Sequence, residues 1–425
     1  MTKPAVLRSI SGPPGSRLAG LLGDGLEVVA PFRGVTGCLG RVVAEVAGPG
    51  LEGDGGALPE GAARPEALVT GLRRSGGNLE WDSPVVVESV GALLEFCRAR
   101  GRSSIEVWRA DRSLLTGLQL GAWFDAPWRT RLLRRLPRLS GAALNALSLA
   151  SPRLLSAAAD LAYWKGVHEE ATPDEWRRLT GSSYAALVYH RISGESKPGQ
   201  ERIDIAPSRF ARQLRILRLA GFRPLPLDEL IAFHLDIDRR LPRRGFVITV
   251  DDAVADCVAP LARHSRLAPQ LYVPTAELGG SAHWIDGEPI ASLAQVRELA
   301  AAGVAIGSHT RHHRRLTELD AEGRREELAG SLEDLREMLP QFAEAVAYPN
   351  GDHDELVCLE AGAAGYRAGF TTEKGRNGAG TDPLCLRRVS VHAADGALAV
   401  IWKVVTGEAL PSAWQRVRAR LPGQS

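Results

Sequence analysis

The 425-residue sequence predicts an α/β chain. A parallel sheet or barrel is expected over residues 180–425, preceded by a smaller region over residues 1–170 that is mixed α/β to helical. Three observations predict it. From residue 186 onward, short apolar runs alternate with amphipathic stretches, the rhythm of parallel strands joined by crossover helices. Polar residues gather at the ends of those runs, and in parallel α/β barrels the C-terminal strand ends form the active face. All ten His lie between His168 and His392, which assigns any imidazole chemistry to the downstream region.

Upstream, DGLEVVAP (24–31) reads as a short buried strand and the Gly/Pro-rich stretch 47–67 as loop. PVVVES begins a strand at Pro84, VGALLEFCRAR (90–100) follows as a helix, and SIEVW (104–108) reads as a further strand. Residues 127–167 read as helical, with Arg129, Arg131, Arg134, Arg135 and Arg138 clustered at the start. That cluster fits either a membrane surface or biosynthetic complex, or a solvated face on a helix packed against its own domain. Downstream, strands are expected at 186–190, 245–252, 269–274, 304–309, 344–349, 366–372 and 386–392. Helices are expected at 207–219, 293–302, 321–339, 355–364 and 396–406.

Composition excludes several classes. With 44% hydrophobic and 24% charged residues the chain is globular rather than disordered, and its length suits two domains. A net charge of +2 argues against a nucleic-acid or other polyanion binder. The five Cys are odd in number and none form a CxxC, which argues against a disulfide framework and fits a reducing compartment. The N-terminus carries no apolar signal region, and Pro152, Arg153 and Asp160 break the longest apolar candidate. A cytoplasmic protein is expected.

Four strand ends carry the candidate chemistry. VITV runs into Asp251-Asp252, VAIGS into His309 and on to His313, AVAY into Pro349-Asn350-Gly351-Asp352, and VSV into His392. On a helical turn, His309 and His313 would share one face as a metal clamp, with His312 turned away. Adjacent carboxylates repel and lose water, a cost that a cation relieves, and their side chains diverge at a strand end. One can therefore ligate while the other stays free as a base. Helix capping is the structural alternative for the pair.

In this order, TVDD (249–252), SHTRHH (308–313) and AYPNG (347–351) resemble the polysaccharide deacetylases of the NodB-homology, carbohydrate esterase 4 type. LVYHRI (187–192), AGFRPLPLDEL (220–230) and LRRVSV (386–391) support the likeness, which spans roughly residues 180–405. The resemblance implies a distorted (β/α) barrel, a divalent ion (zinc, with cobalt as the alternative) and removal of an N- or O-acetyl group from a sugar of a polysaccharide or glycolipid. Carried over by motif, Asp252, His309 and His313 are the metal ligands, Asp251 the base, and the Asn350 N–H an oxyanion donor. Tyr348 and Pro349 line the substrate site, His190 lines it or ends its strand, and His392 stands where the general acid is expected. The chain departs from the family in three places. Ala253 replaces a Gly, Ala345-Val346-Ala347 lacks the Arg that orients the base, and the last motif is reduced to Ser390-Val391-His392. A silent carbohydrate-binding homologue and a hydrolase of non-sugar amides or formamides are the competing readings. Upstream, LEVVAPFRG (26–34) faintly resembles family 2 glycosyltransferases, but residues 1–170 contain no DxD pair. This region is expected to be a reduced accessory module, with small-molecule or partner binding equally open.

Overall fold

A computed structural model describes residues 5–11, 46–47, 79–86, 90–110, 112–116, 118–135, 152–194, 204–236, 239–242 and 244–410. The chain divides into two compact units, Met1–Gly181 and Ser182–Ser425. The strand expected at 24–31 and the glycosyltransferase-like phrase at 26–34 lie outside the described residues.

In the first unit, β1 (Ala5–Ser11) pairs parallel with β3 (Leu79–Val86) and antiparallel with β2 (Val46–Ala47). Among the described residues the helices that follow are α1 (Val90–Ala110), α2 (Trp128–Arg134), α3 (Pro152–Glu170) and α4 (Pro173–Gly181). The strand expected at 104–108 is instead the last part of α1. Its apolar residues continue the helical spacing of Leu93, Leu94 and Cys97, with Ile105 and Trp108 fully buried, so tertiary packing overrides the β-branched composition. Two glycines let α1 and α3 touch backbone to backbone. A Cβ at Gly101 would meet the Tyr163 carbonyl at 2.1 Å, and one at Gly166 would meet the Arg98 carbonyl at 1.9 Å.

Of the arginine cluster, Arg131 and Arg134 pack into this unit, Arg129 and Arg135 are exposed, and Arg138 lies outside the described residues. Arg131 is buried, Arg134 pairs with Asp160 at 2.7 Å and lies over the Trp164 ring, and Arg135 lies over Trp123. Those contacts favour packing within the unit over a membrane-facing surface. Among the described residues, no helix is long and apolar enough to cross a membrane.

The second unit is built on a nine-stranded, mostly parallel sheet. Its order is β12 (Ala368–Phe370), β11 (Ala345–Ala347), β10 (Ala305–Ser308), β7 (Gln270–Val273), β6 (Gly245–Val250), β4 (Ser183–Tyr189) and β13 (Asn377–Gly378). β14 (Arg388–Ser390) adds parallel to β4, and β5 (Arg223–Pro224) adds to the start of β6. The sheet curls into a half-barrel: Leu386 bridges Phe370 of β12, and two residues later Arg388 is in register with Ala186 of β4. The crossover helices are α5 (Pro207–Leu219), α6 (Leu227–Leu235), α7 (Val258–Arg263), α8 (Leu293–Ala301), α9 (Ala321–Arg325), α10 (Ser331–Met338), α11 (Glu355–Ala364) and α12 (Ala397–Thr406). β8 (Ser281–Ala282) and β9 (Glu288–Pro289) form a separate hairpin.

Strand parity sorts the two faces of the curl. Ala185, Leu187, Phe246, Ile248, Val250 and Ile306 pack outward against the helices. Tyr184, Ala186, Val247, Tyr272, Ala345, Ala347 and Phe370 fill the interior, where α6 contributes Leu230 and Phe233. The helix expected over 321–339 is continuous but not regular. A π-helical turn at Glu326–Gly330 joins α9 to α10, and it buries the Glu327 carboxylate completely.

Candidate active site

Parity also explains which residues meet at the C-terminal strand ends. Val247 and Thr249 face the interior, and Asp251 continues that alternation, as His309 does after Gly307. In a regular strand Asp252 would then point outward. Its left-handed backbone (φ 68), followed by Ala253 at φ 52, breaks the alternation and brings both carboxylates into the site. Ala253 thus adopts at some cost the conformation that a glycine takes freely.

The two carboxylates have separate partners. Asp251 Oδ1 accepts from Arg388 Nη1 at 2.7 Å, with the Arg388 side chain 0% exposed. Arg388 Nε donates to the Thr371 carbonyl at 2.8 Å and Nη1 also reaches Thr249 Oγ1 at 3.2 Å, so the guanidinium is fixed on three sides. Asp252 Oδ1 lies 3.5 Å from His309 Nε2 and 3.3 Å from His313 Nε2, and accepts from Trp284 Nε1 at 2.8 Å. Burial pushes both carboxyls up. For Asp251 the Arg388 charge more than offsets this, and for Asp252 hydrogen bonding to both histidines does, leaving both pKa values below the ordinary carboxylate value.

The second-motif segment departs from expectation. His309–His313 is an irregular loop rather than a helical turn, with Thr310 at φ 64 and His313 at φ 58. Glu327 shapes it from the π-helical turn. Its carboxylate accepts from the Arg311 N–H (3.0 Å), the His312 N–H (2.9 Å) and His312 Nδ1 (3.0 Å). The backbone donors of Arg311 and His312 thus go to this buried acid, and the His312 ring is held on it, away from Asp252. His309 donates Nδ1–H to the Ala347 carbonyl at 2.6 Å, which directs Nε2 toward Asp252. The His313 ring stacks on Trp284 at 4.1 Å and 5°. Burial disfavours charge on both rings. The hydrogen bond to Asp252 leaves the His309 pKa above its ordinary value, whereas His313, which also feels His309, is lowered.

Asp252, His309 and His313 fit a divalent ion. Their candidate ligand atoms all lie within 4.8 Å of one another. Tetrahedral ligands about 2.1 Å from a zinc-type ion stand roughly 3.4 Å apart, and the two Asp–His separations are 3.5 and 3.3 Å.

The remaining expected residues divide. His190 follows β4, is half-buried, and is close enough to Asp251 and Asp252 to favour their ionised forms. Pro349 and Asn350 form a tight turn after β11, with Asn350 left-handed at φ 57. His392 shares the parity of Arg388 and Ser390; its N–H donates to Asp395 Oδ2 at 2.7 Å and its ring lies 3.9 Å from that carboxylate. Tyr348 is not placed as a substrate contact. It falls on the outward parity of β11, is 0% exposed, and donates its hydroxyl to the Leu384 carbonyl at 2.9 Å. Its side chain supports the turn from behind.

Sequence reasoning missed Arg388, Trp284 and Glu327. Arg388 could have been found, because it lies two and four residues before Ser390 and His392 on one strand face. Trp284 sits in the 281–289 hairpin, whose Glu288 approaches the buried Arg191 at 3.5 Å, and no local pattern marks it.

Residues 241–369 match the polysaccharide deacetylase family. YxkH of Bacillus subtilis (strain 168), which bears the name of a polysaccharide deacetylase, is 25% identical over 208 residues, covering 48% of this chain and 70% of its own. Among solved structures, the deacetylase PplD of Streptococcus pyogenes in complex with acetate is 21% identical, with a TM-score of 0.46 over 52% of this chain and 98% of its own. A polysaccharide deacetylase of Bacillus cereus, BC0361, is 22% identical, with a TM-score of 0.44 over 52% of this chain and 68% of its own. The second unit of this chain is thus similar, over residues 241–369, to the polysaccharide deacetylase family.

Proposed function

We propose that the second unit hydrolyses an acetyl group from a sugar of a polysaccharide or glycolipid. One observation carries this reading: the Asp252, His309 and His313 donors converge, while Asp251 is held apart from them on Arg388. In the proposed reaction a divalent ion, zinc or cobalt, held by Asp252, His309 and His313 supplies Lewis acidity toward water and the acyl oxygen. Asp251, kept ionised by Arg388, takes the proton of the attacking water. The Asn350 N–H, on the turn beside the Ala347 carbonyl that fixes His309, donates to the developing oxyanion. His392 protonates the leaving amine, and Asp395 anchors its backbone N–H just past the end of β14.

The test is acetate release from chito-oligomers, acetylglucosamine lipids and peptidoglycan fragments, with and without Co2+. Metal-dependent release from at least one of them is expected, and none from all three would overturn the reading. Metal content provides a second check. Purified protein is expected to bind about one Zn2+ or Co2+ per chain and Asp252→Ala to bind none. Equal metal content in the two proteins would remove Asp252 from the ligand set.

Trp284 extends the same reading outward. It orients Asp252 by hydrogen bonding and His313 by stacking, so Trp284→Phe, which keeps a ring but loses the N–H, should weaken Co2+ binding by about 10-fold. Calorimetric titration measures this directly, and an unchanged dissociation constant would refute it.

A further inference from the structure

We infer that Cys358 and Cys385 form a disulfide that staples α11 to the segment leading into β14. Their Sγ atoms lie 2.7 Å apart, between a covalent S–S bond of about 2.05 Å and ordinary non-bonded contact. The surroundings hold both sulfurs in place. Cys358 is on the buried face of α11 with Val357 and Ala361, and its Sγ also points to the Leu384 carbonyl at 3.5 Å. Cys385 is set by a tight turn, in which its N–H donates to the Asp382 carbonyl at 3.0 Å and the Leu384 N–H donates to Asp382 Oδ1 at 2.8 Å. On either side, Pro383 and Leu386 hydrogen-bond to Gly369 of β12 at 2.7 Å. Both sulfurs therefore sit on backbone that is already anchored, so closing the bond needs little rearrangement. Local Cys spacing cannot reveal the pair, because 27 positions separate its members.

The staple would act where the fold is being closed. Residues 382–386 carry the chain from β12 across the open side of the curl, and Arg388 enters the site three residues after Cys385. Oxidation needs an external acceptor, for which a low-molecular-weight disulfide such as oxidised glutathione suffices. The more exposed Cys385 attacks it as the thiolate, forming a mixed disulfide and releasing one thiol. Cys358 then attacks the Cys385 sulfur and expels the second thiol. Two electrons pass from the cysteine pair to the glutathione disulfide, and the two protons end on the released thiols. The hydrogen bond shared with Cys358, and then burial, push the Cys385 thiol well above its ordinary pKa, so the exchange should quicken with rising pH.

The full chain is equilibrated with oxidised glutathione at pH 8, denatured and titrated with a thiol reagent. Three of its five cysteines are expected to react, and five after reduction. Peptide mapping should place the bond between Cys358 and Cys385, and the Cys358→Ala/Cys385→Ala variant should show three reactive thiols in both states. Reduction should lower the thermal midpoint by roughly 5–10 °C in wild type and leave that double variant unmoved. Five free thiols after oxidation, or a bond between other cysteines, would overturn the inference. An unshifted midpoint with the bond in place would overturn its role as a staple.

Discussion

Asp251→Asn is expected to bind metal as wild type does and to release acetate at least about 10³-fold more slowly. Asn is nearly isosteric and keeps an oxygen for Arg388 Nη1, so the hydrogen bond at 2.7 Å has an acceptor in the variant. What is lost is the negative charge and with it the ability to take a proton. Asp252, His309 and His313 share no hydrogen bond with Asp251, so a Co2+ titration should return the wild-type stoichiometry. Stability should fall, because Arg388 is left as a buried charge without a counter-ion. Turnover is therefore measured at a temperature where calorimetry shows the variant folded. Turnover within threefold of wild type would take the base role from Asp251, and loss of metal would move it into the ligand set.

How much of this site was legible beforehand depended on the range of the signal. β6, β7, β10, β11, β12 and β14 all fall inside strand segments expected from local apolar runs, and β4 overlaps its expected segment but begins three residues before it, because each is a short buried segment bounded by polar residues. Asp251, Asp252, His309 and His313 were legible for the same reason, since each motif is contiguous. Long-range partners were not. The helical turn expected at His309–His313 gave way because Glu327, more than a dozen residues downstream, captures the backbone donors of Arg311 and His312. The strand expected at 104–108 failed because the α1–α3 contact through Gly101 and Gly166 is tertiary and leaves only a weak local trace. Tyr348 was assigned to substrate by motif, although counting in twos from Ala345 and Ala347 puts it on the outer face. Arg388 follows the same logic in reverse. The family position before the third motif is empty of Arg, and the guanidinium reaches Asp251 from β14, 137 positions along the chain.

That relocation yields the other large expected effect. Arg388→Met should destabilise the second unit by about 3–5 kcal/mol at pH 7, because it strands the ionised Asp251 in a buried site. The sign of the pH dependence follows from linkage. In wild type the Asp251 pKa is lowered, so its contribution to stability is present above the unfolded value of about 3.9 and is lost as pH falls through the folded value. Without the guanidinium, burial becomes the dominant influence and raises the folded value. The resulting penalty is complete above that raised pKa and fades as pH falls through it. Urea denaturation should therefore show a larger gap between wild type and variant at pH 7 than at pH 4, and the acid limb of kcat/KM should move to higher pH. Arg388→Lys should restore the limb in part but not kcat, since an ammonium lacks the planar fork that spans Thr371, Thr249 and Asp251. The Asp251→Asn/Arg388→Met double variant removes both charges and should recover more than half of the lost stability. Additivity of the two single changes within about 0.5 kcal/mol would show that the pair is not coupled. An unmoved acid limb in Arg388→Met would show that Arg388 packs beside the base without tuning it.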